Sequence, residues 1–236
     1  MPTGRGARLR DPQQRAARAT RILDTAADLL ARHGYRRVSI DDVAAGAAIG
    51  KGTVYLHWKT REQLFGAVFA REILAAMDEL RAALRREPET CLLHRFARTY
   101  FLAVNDRPLL RGFLLGDPDL LGKLTDAADT GRDERHGTTA YSYFELLAAH
   151  RLLRDDMDLD EIAYAYQATF EGFLRAEDPS LGVERRADLL ARTVRRAFET
   201  EPTPVEPLPD IAAATAGLLD DLIAADREEF GIPESS

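Results

Sequence analysis

The sequence predicts an all-α fold, with a small three-helix head at the N-terminus and a larger helical bundle behind it. Three observations carry this. Apolar residues recur at spacings of three and four through almost every segment, no stretch shows a convincing period-two alternation, and helix caps and stops punctuate the chain at regular intervals. There is no internal repeat.

The elements follow in order. Asp11 before Pro12 reads as a cap and first-turn proline, and Ile22, Leu23, Ala26, Leu29 and Leu30 form one apolar stripe behind them. Gly34 stops that helix. Ser39 with Asp42 three residues on forms a capping box that opens a short helix over 40–47, and a second short helix covers 51–57. Thr60 and Gln63 make another box, opening a long helix whose Leu64, Phe65, Val68, Phe69, Leu74 and Met77 point inward. Beyond Pro88, apolar spacing marks a helix over 89–105, and Pro108 begins a shorter one that Gly116-Asp117-Pro118 breaks. The segment TDAADTGRDERHGTT reads as a polar connector, and helices are expected over 138–151, 159–176 and 183–199. EPTPVEPLPD is a stiff Pro-rich linker, and a last amphipathic helix covers 210–228. The boundaries divide the chain into 1–60, 61–200 and 201–236. The tail helix is too short to stand alone, so its stripe of Leu218, Leu219, Leu222 and Ile223 is expected to dock on the body of its own or a partner subunit, in preference to the basic head.

Composition narrows the function classes. The chain has 236 residues, 45% hydrophobic and 30% charged, enough for a sizeable core. One cysteine, Cys91, excludes an internal disulfide framework and fits a cytoplasmic protein; its apolar neighbours mark it as a buried small hydrophobe. No run of about 18 apolar residues exists, so no membrane span or secretion signal is expected. The net charge of −7 is uneven. Residues 1–62 hold 12 Lys+Arg against 6 Asp+Glu, residues 63–200 hold 19 against 24, and residues 201–236 hold 1 against 9. A basic head on an acidic body points to a polyanionic partner for the head alone.

The stretch GAAIGKGTVYLHWKT looks at first like a phosphate-cradling nucleotide loop, but that loop needs four residues between its glycines and a Ser or Thr directly after the lysine. Here three residues separate Gly46 from Gly50, and Gly52 follows Lys51. Three short helices in about 45 residues, the last two joined by a tight turn, instead match a helix-turn-helix, whose second helix enters the major groove of DNA. Gly50 and Gly52 let a backbone come close, Lys51 and Thr53 reach base edges or phosphate, and Tyr55, His57 and Lys59 offer phosphate donors. The flanking Ser39 and Thr60 complete the expected DNA-contacting set. Val54 and Trp58 face a small core with Ile22, Leu30, Val43 and Ile49, and Arg5, Arg8, Arg10, Arg15 and Arg18 could add backbone contacts.

The stretch SIDDVAAGAAIGKGTVYLHWKTREQLFGAVF resembles the DNA-binding head of the TetR family of transcriptional regulators. The resemblance spans about 14–70 and rests on Gly34-Tyr35, Ser39-Ile40, Val43-Ala44, Ala47, Gly52, Thr53, Tyr55, His57, Trp58 and Thr60 to Leu64. Gly50 stands where the family more often has Ser, and Trp58 where it more often has Phe. The resemblance implies a ligand-binding and dimerising body, and hence a repressor that binds a pseudo-palindromic operator as a homodimer and leaves it when a small-molecule inducer binds. It also implies that the helices over 159–176 and 183–199 build the dimer, for which Ala163, Tyr166, Phe170, Leu174, Leu189, Leu190, Val194 and Phe198 supply apolar faces. A DNA-binding dimer with no ligand is the alternative, and a filled body core would favour it.

No ligand residue follows from a motif. Aromatic density in the body permits a cavity, and its candidate lining is Phe69, His94, Arg98, Tyr100, Phe113, Tyr141, Phe144, Tyr166 and Phe170. The five histidines form no zinc-binding spacing, so neither metal nor cofactor is expected. DDMDLDE lacks the glycine and the terminal glutamate of a calcium loop and reads as a solvated turn. A helical-bundle enzyme would need an acid/base or metal constellation that is not evident, so no catalytic residue is expected.

Overall fold

The structure, a computed structural model, describes residues 12–122, 130–178, 180–201 and 206–233. The Asp11 cap, Arg5, Arg8 and Arg10, part of the polar connector (123–129) and most of the Pro-rich linker (202–205) lie outside the described residues. Among the described residues there are eleven helices and no strand; one antiparallel bridge joins Leu153 to Glu199. The fold is all-α.

The head consists of α1 (Pro12–His33), α2 (Ile40–Gly46) and α3 (Lys51–Tyr55). The stripe expected in α1 is buried at Ile22, Leu23, Ala26 and Leu30. Gly34 follows with φ +70, and a Cβ there would stand 2.8 Å from the Asp119 carbonyl oxygen, so the position needs glycine for its backbone angle and for space. Ser39 and Asp42 form the reciprocal box, with Asp42 N donating to Ser39 Oγ (3.2 Å) and Ser39 N to Asp42 Oδ2 (2.8 Å). Thr60 Oγ1 accepts from Gln63 N at 3.1 Å, but Gln63 Oε1 accepts from Lys59 N (2.8 Å), one residue earlier than a reciprocal box requires.

The long α4 (Arg61–Arg86) belongs to two cores. Its first turns (Leu64, Phe65, Val68, Phe69) complete the head with Val54, Trp58 and Tyr35, while Ile73, Leu74, Leu80 and Leu84 open the body core. Phe113 and Phe230 pack against both. The body continues with α5 (Leu93–Asn105), α6 (Pro108–Leu115), the one-turn α7 (Pro118–Leu121), α8 (Thr130–Ala149), α9 (Leu159–Arg175), α10 (Val183–Phe198) and α11 (Leu208–Phe230).

Several elements differ from the sequence expectation. The helix expected over 89–105 is split: Pro88–Cys91 is a single 3-10 turn, and α5 starts at Leu93. No local side chain caps α5; the buried carboxylate of Glu199, from beyond α10, accepts both His94 N (2.8 Å) and His94 Nδ1 (2.7 Å) and does so instead. Asp117 does more than break the chain: its carboxylate caps α7 by accepting from Asp119 N and Leu120 N. The polar DERHG segment is helical, because α8 begins at Thr130. Arg135 and His136 there bind the fully buried carboxylate of Asp226 on α11, Arg135 Nη2 at 2.8 Å and His136 Nε2 at 2.7 Å from its oxygens. The tail helix docks on the body of its own chain, against α4 and α8, and buries Ile211, Ala212, Ala216, Leu219, Leu222 and Ile223. Its last turn also touches the head, where Trp58 Nε1 donates to the Phe230 carbonyl (3.3 Å).

The faces assigned to a dimer need correction. Phe170, Leu174, Leu190, Val194 and Phe198 are buried inside a single chain, α10 packing its apolar stripe on α5, and Tyr166 faces the interior. What α9 and α10 turn outward is a different set, led by Tyr164 (79% exposed), with Ala168, Gly172, Arg192 and Thr193.

Candidate functional site

The surface expected from the sequence to face DNA is built from the turn between α2 and α3 and from α3 itself. The turn takes its left-handed residue not from a glycine but from Ala48, at φ 53, and the Ile49 N–H closes it onto the Ala44 carbonyl (3.0 Å). Gly50 then caps α3 through its backbone, with an ordinary φ of −75 and no side-chain hydrogen bond. Open space surrounds the Cβ positions of Gly50 and Gly52. Neither glycine is demanded by its own fold, so what they leave is room for an approaching surface.

Period 3.6 splits α3 between two environments. Val54 and Trp58 enter the head core, as expected from the sequence, and Ile49 packs on that core from its edge. Lys51, Gly52, Tyr55, Lys59 and Thr60 face outward, with Ser39 and Gly50 exposed beside them and Thr53 half-buried. Lys51 Nζ binds Asp41 Oδ2 at 2.8 Å across the turn, an exposed pair that holds the ammonium at the front of the helix at little cost to break. His57 is half-buried beside the Trp58 ring. Burial, and then the charges of Arg15 and Arg18, hold its imidazole below the usual histidine value, so it is neutral near pH 7. The influence of both arginines on His57 puts the start of α1 beside the end of α3. Leu56, 59% exposed at the tip of α3, adds an apolar side chain to this surface.

Behind α3, Arg61 fixes the entry to α4. Its guanidinium carbon lies 4.0 Å from the centre of the Tyr35 ring, and its N–H donates to the Tyr35 carbonyl. The Tyr35 hydroxyl in turn donates to Glu62 (3.1 Å).

The body holds a cavity of about 720 Å³ between α4, α5, α6, α8, α9 and α11. Six of the nine candidate lining residues border it: Tyr100, Phe113, Tyr141, Phe144, Tyr166 and Phe170. The other three are elsewhere. Phe69 is buried in the head core against Phe113, with ring centres 5.5 Å apart. His94 is held by Glu199. Arg98 binds Asp188 and Glu184 on α10, at 2.8 and 2.6 Å, and the Asp188 carboxylate in particular raises its already high pKa. The sequence reading also missed a wall contributed by the tail, where Thr215, Leu218, Leu219 and Leu222 line the cavity. Their apolar stripe was visible, but not the surface it covers. Cys91 is buried, and burial pushes its thiol up to about 12, so it is not a nucleophile. Among the described residues no three His, Cys, Asp or Glu side chains converge on a metal-sized site, and no helix is long and apolar enough to cross a membrane.

With this geometry in hand, comparison with known proteins is informative. Residues 22–68 match the family model described as bacterial regulatory proteins, tetR family. An uncharacterised HTH-type transcriptional regulator of Mycobacterium tuberculosis is 40% identical over 63 residues, 27% of this chain and 31% of the relative. An HTH-type transcriptional repressor of the same species is 42% identical over 57 residues, 24% of this chain and 30% of the relative. The chain therefore spans about a third of the length of the curated relatives it matches. Solved structures extend the likeness of fold to the body. A SmeT–triclosan complex superposes with a TM-score of 0.62 at 21% identity, covering 80% of this chain and 95% of that one. A TetR-like transcriptional regulator from Rhodococcus sp. RHA1 gives 0.56 at 23%, covering 77% and 95%. The helix-turn-helix head thus matches that of tetR-family bacterial regulatory proteins over residues 22–68, and the whole chain shares the all-helical fold of TetR-like solved structures.

Proposed function

We propose that this chain is a transcriptional repressor that binds a pseudo-palindromic operator as a homodimer and is released by a small-molecule inducer. The observation that carries the reading is the division of α3. Val54 and Trp58 anchor the helix from behind, and Lys51, Tyr55 and Lys59 are exposed in front, beside two glycines with open space above them. A helix held in this way can enter a major groove while its flanks touch phosphate. Two copies set their recognition helices one or more turns of DNA apart, roughly 34–36 Å for one turn. The outward faces of α9 and α10, with Tyr164 foremost, supply the contact between copies. The body cavity, within the roughly 300–1,000 Å³ usual for ligand sites, favours an inducer over a body that serves assembly alone. The crystallised partner of the SmeT structure, triclosan, is in keeping with a fold of this kind taking small apolar molecules.

The test is selection of duplexes from a random library by the full chain, followed by anisotropy titrations on the enriched sequence. A palindromic consensus should emerge, and log affinity should fall with log salt by about 0.9 per phosphate neutralised. Lys59→Ala should weaken all duplexes alike and flatten that slope, whereas Lys51→Ala or Thr53→Ala should change the preferred bases. Unchanged affinity in a Tyr55→Phe, His57→Ala, Lys59→Ala triple variant would refute the assignment of α3.

A further inference from the structure

Five tyrosines line the body cavity; Tyr164 is largely exposed to solvent, and the structure treats the other four in two ways. Tyr143 donates its hydroxyl to the Cys91 carbonyl (2.7 Å), and Tyr141, at the rim, donates to Asp160 Oδ1 (2.9 Å). Tyr100 on α5 and Tyr166 on α9 make no such bond among the described residues. They flank Phe170, whose ring centre lies 5.5 Å from that of Tyr100, with the rings stacked, and 6.2 Å from that of Tyr166. Both residues are half-buried, and their hydroxyls open onto the cavity. Burial pushes Tyr100 up to about 12, and burial together with the nearby Tyr100 pushes Tyr166 up as well, so both keep their protons. A phenol that faces a cavity without a protein partner is free to donate, and here two such donors border the same space.

The charged groups around the cavity are already engaged. His136 reaches the lining but is bound to Asp226, and Arg135 is bound to Asp226 and Glu229. Glu171, at the mouth, accepts from Gln167 (3.0 Å). The Thr215 hydroxyl is turned back onto the Ile211 carbonyl (2.8 Å). An anion entering this space would lose its hydration without gaining a free counter-charge, and a cation would leave both phenol donors without an acceptor.

We infer that the cavity takes an uncharged, flat aromatic or alicyclic molecule whose carbonyl or ether oxygen accepts hydrogen bonds from Tyr100 and Tyr166. The inference rests on the ligand-responsive reading above and adds the chemistry of the ligand. The stacked Tyr100–Phe170 pair supplies a flat wall, and Leu218 and Leu222 of the tail helix supply an aliphatic one. The two phenols fix orientation, as the few polar groups of an apolar pocket do.

Calorimetric titration of the full chain with four compounds of one shape tests this: 2-acetylnaphthalene, 2-ethylnaphthalene, 2-naphthoate and (2-naphthyl)trimethylammonium. The ketone should bind about tenfold more tightly than the hydrocarbon, and more tightly than either ion. In a Tyr100→Phe, Tyr166→Phe double variant the ketone's advantage should vanish while hydrocarbon binding stays the same. The variant should melt no lower than the parent, since neither hydroxyl has a partner to lose. An unchanged ketone-to-hydrocarbon ratio in the variant, or an ion that matches the ketone, overturns the inference. Failure of all four compounds to bind, in a preparation that still binds its selected duplex, overturns the ligand class and leaves the DNA reading standing.

Discussion

Asp226 is the most consequential buried charge among the described residues, and Asp226→Asn isolates its contribution. The carboxylate is fully buried on α11 and holds two side chains of α8, with Arg135 Nε and Nη2 at 3.1 and 2.8 Å from Oδ1 and His136 Nε2 at 2.7 Å from Oδ2. Burial alone would push its carboxyl up. The hydrogen bonds from His136 and Arg135, with their charges, outweigh burial and hold it below the usual carboxylate value. Asparagine keeps one acceptor but removes the charge, leaving Arg135 with Glu229 as its remaining partner. Hydrogen bonds to charged groups contribute about 1.5–3 kcal/mol each, and breaking a buried pair costs about 3–5 kcal/mol. Partial exposure of Arg135 and His136 reduces this, so the expected loss is about 2–3 kcal/mol. For a chain of this size each kcal/mol shifts the melting temperature by about 2–4 °C, so the variant should melt about 5–10 °C lower at pH 7. The sign of the pH dependence follows from a carboxyl held below its unfolded value. Its contribution is complete above the unfolded pKa of about 3.9 and fades as pH falls through the folded value. Melting followed by circular dichroism should show the full difference at pH 7 and at pH 5.5, narrowing only below about pH 4. A variant that melts within about 2 °C of the parent at pH 7 would show that the pair only breaks even against its desolvation.

Three further outcomes are expected. Phosphate close to His57 should restore the proton that burial and the two arginines disfavour, so operator affinity should rise as pH falls from 8 to 6; His57→Gln should flatten that profile. Deleting residues 202–236 removes a helix that buries seven apolar side chains against the body, so the remainder should lose its cooperative melt and bind a hydrophobic dye; a sharp transition near the parent's would contradict the packing seen for α11. Gly34→Ala forces a positive φ and a 2.8 Å approach to the Asp119 carbonyl, costing about 2 kcal/mol, which urea unfolding can read as a lower midpoint at constant slope.

What the sequence could reveal divides along the distance between partners. The head was readable because its signals are local: Ser39 and Asp42 are three residues apart, and the stripe of α1 repeats within single turns. The start of α8 was not readable, because its polar residues are stabilised by Asp226, about 90 residues away. His94 and Arg98 looked like free polar handles for the same reason. Their partners Glu199, Asp188 and Glu184 lie 86 to 105 residues further along the chain. Amphipathic spacing in α10 showed which face would be buried but not by what, so an intrachain contact with α5 was assigned to a second subunit.

The bond between Trp58 and Phe230 joins residues 172 positions apart, and it gives the molecule an order of assembly. Most of the head's contacts are short in sequence and can form while the rest of the chain is still being synthesised. The residue directly behind the recognition helix nevertheless gains its last hydrogen bond, and Phe230 closes over Gly66, only after residue 230 has left the ribosome. A nascent chain thus carries a nearly finished helix-turn-helix that lacks its final support until the body beneath it is complete.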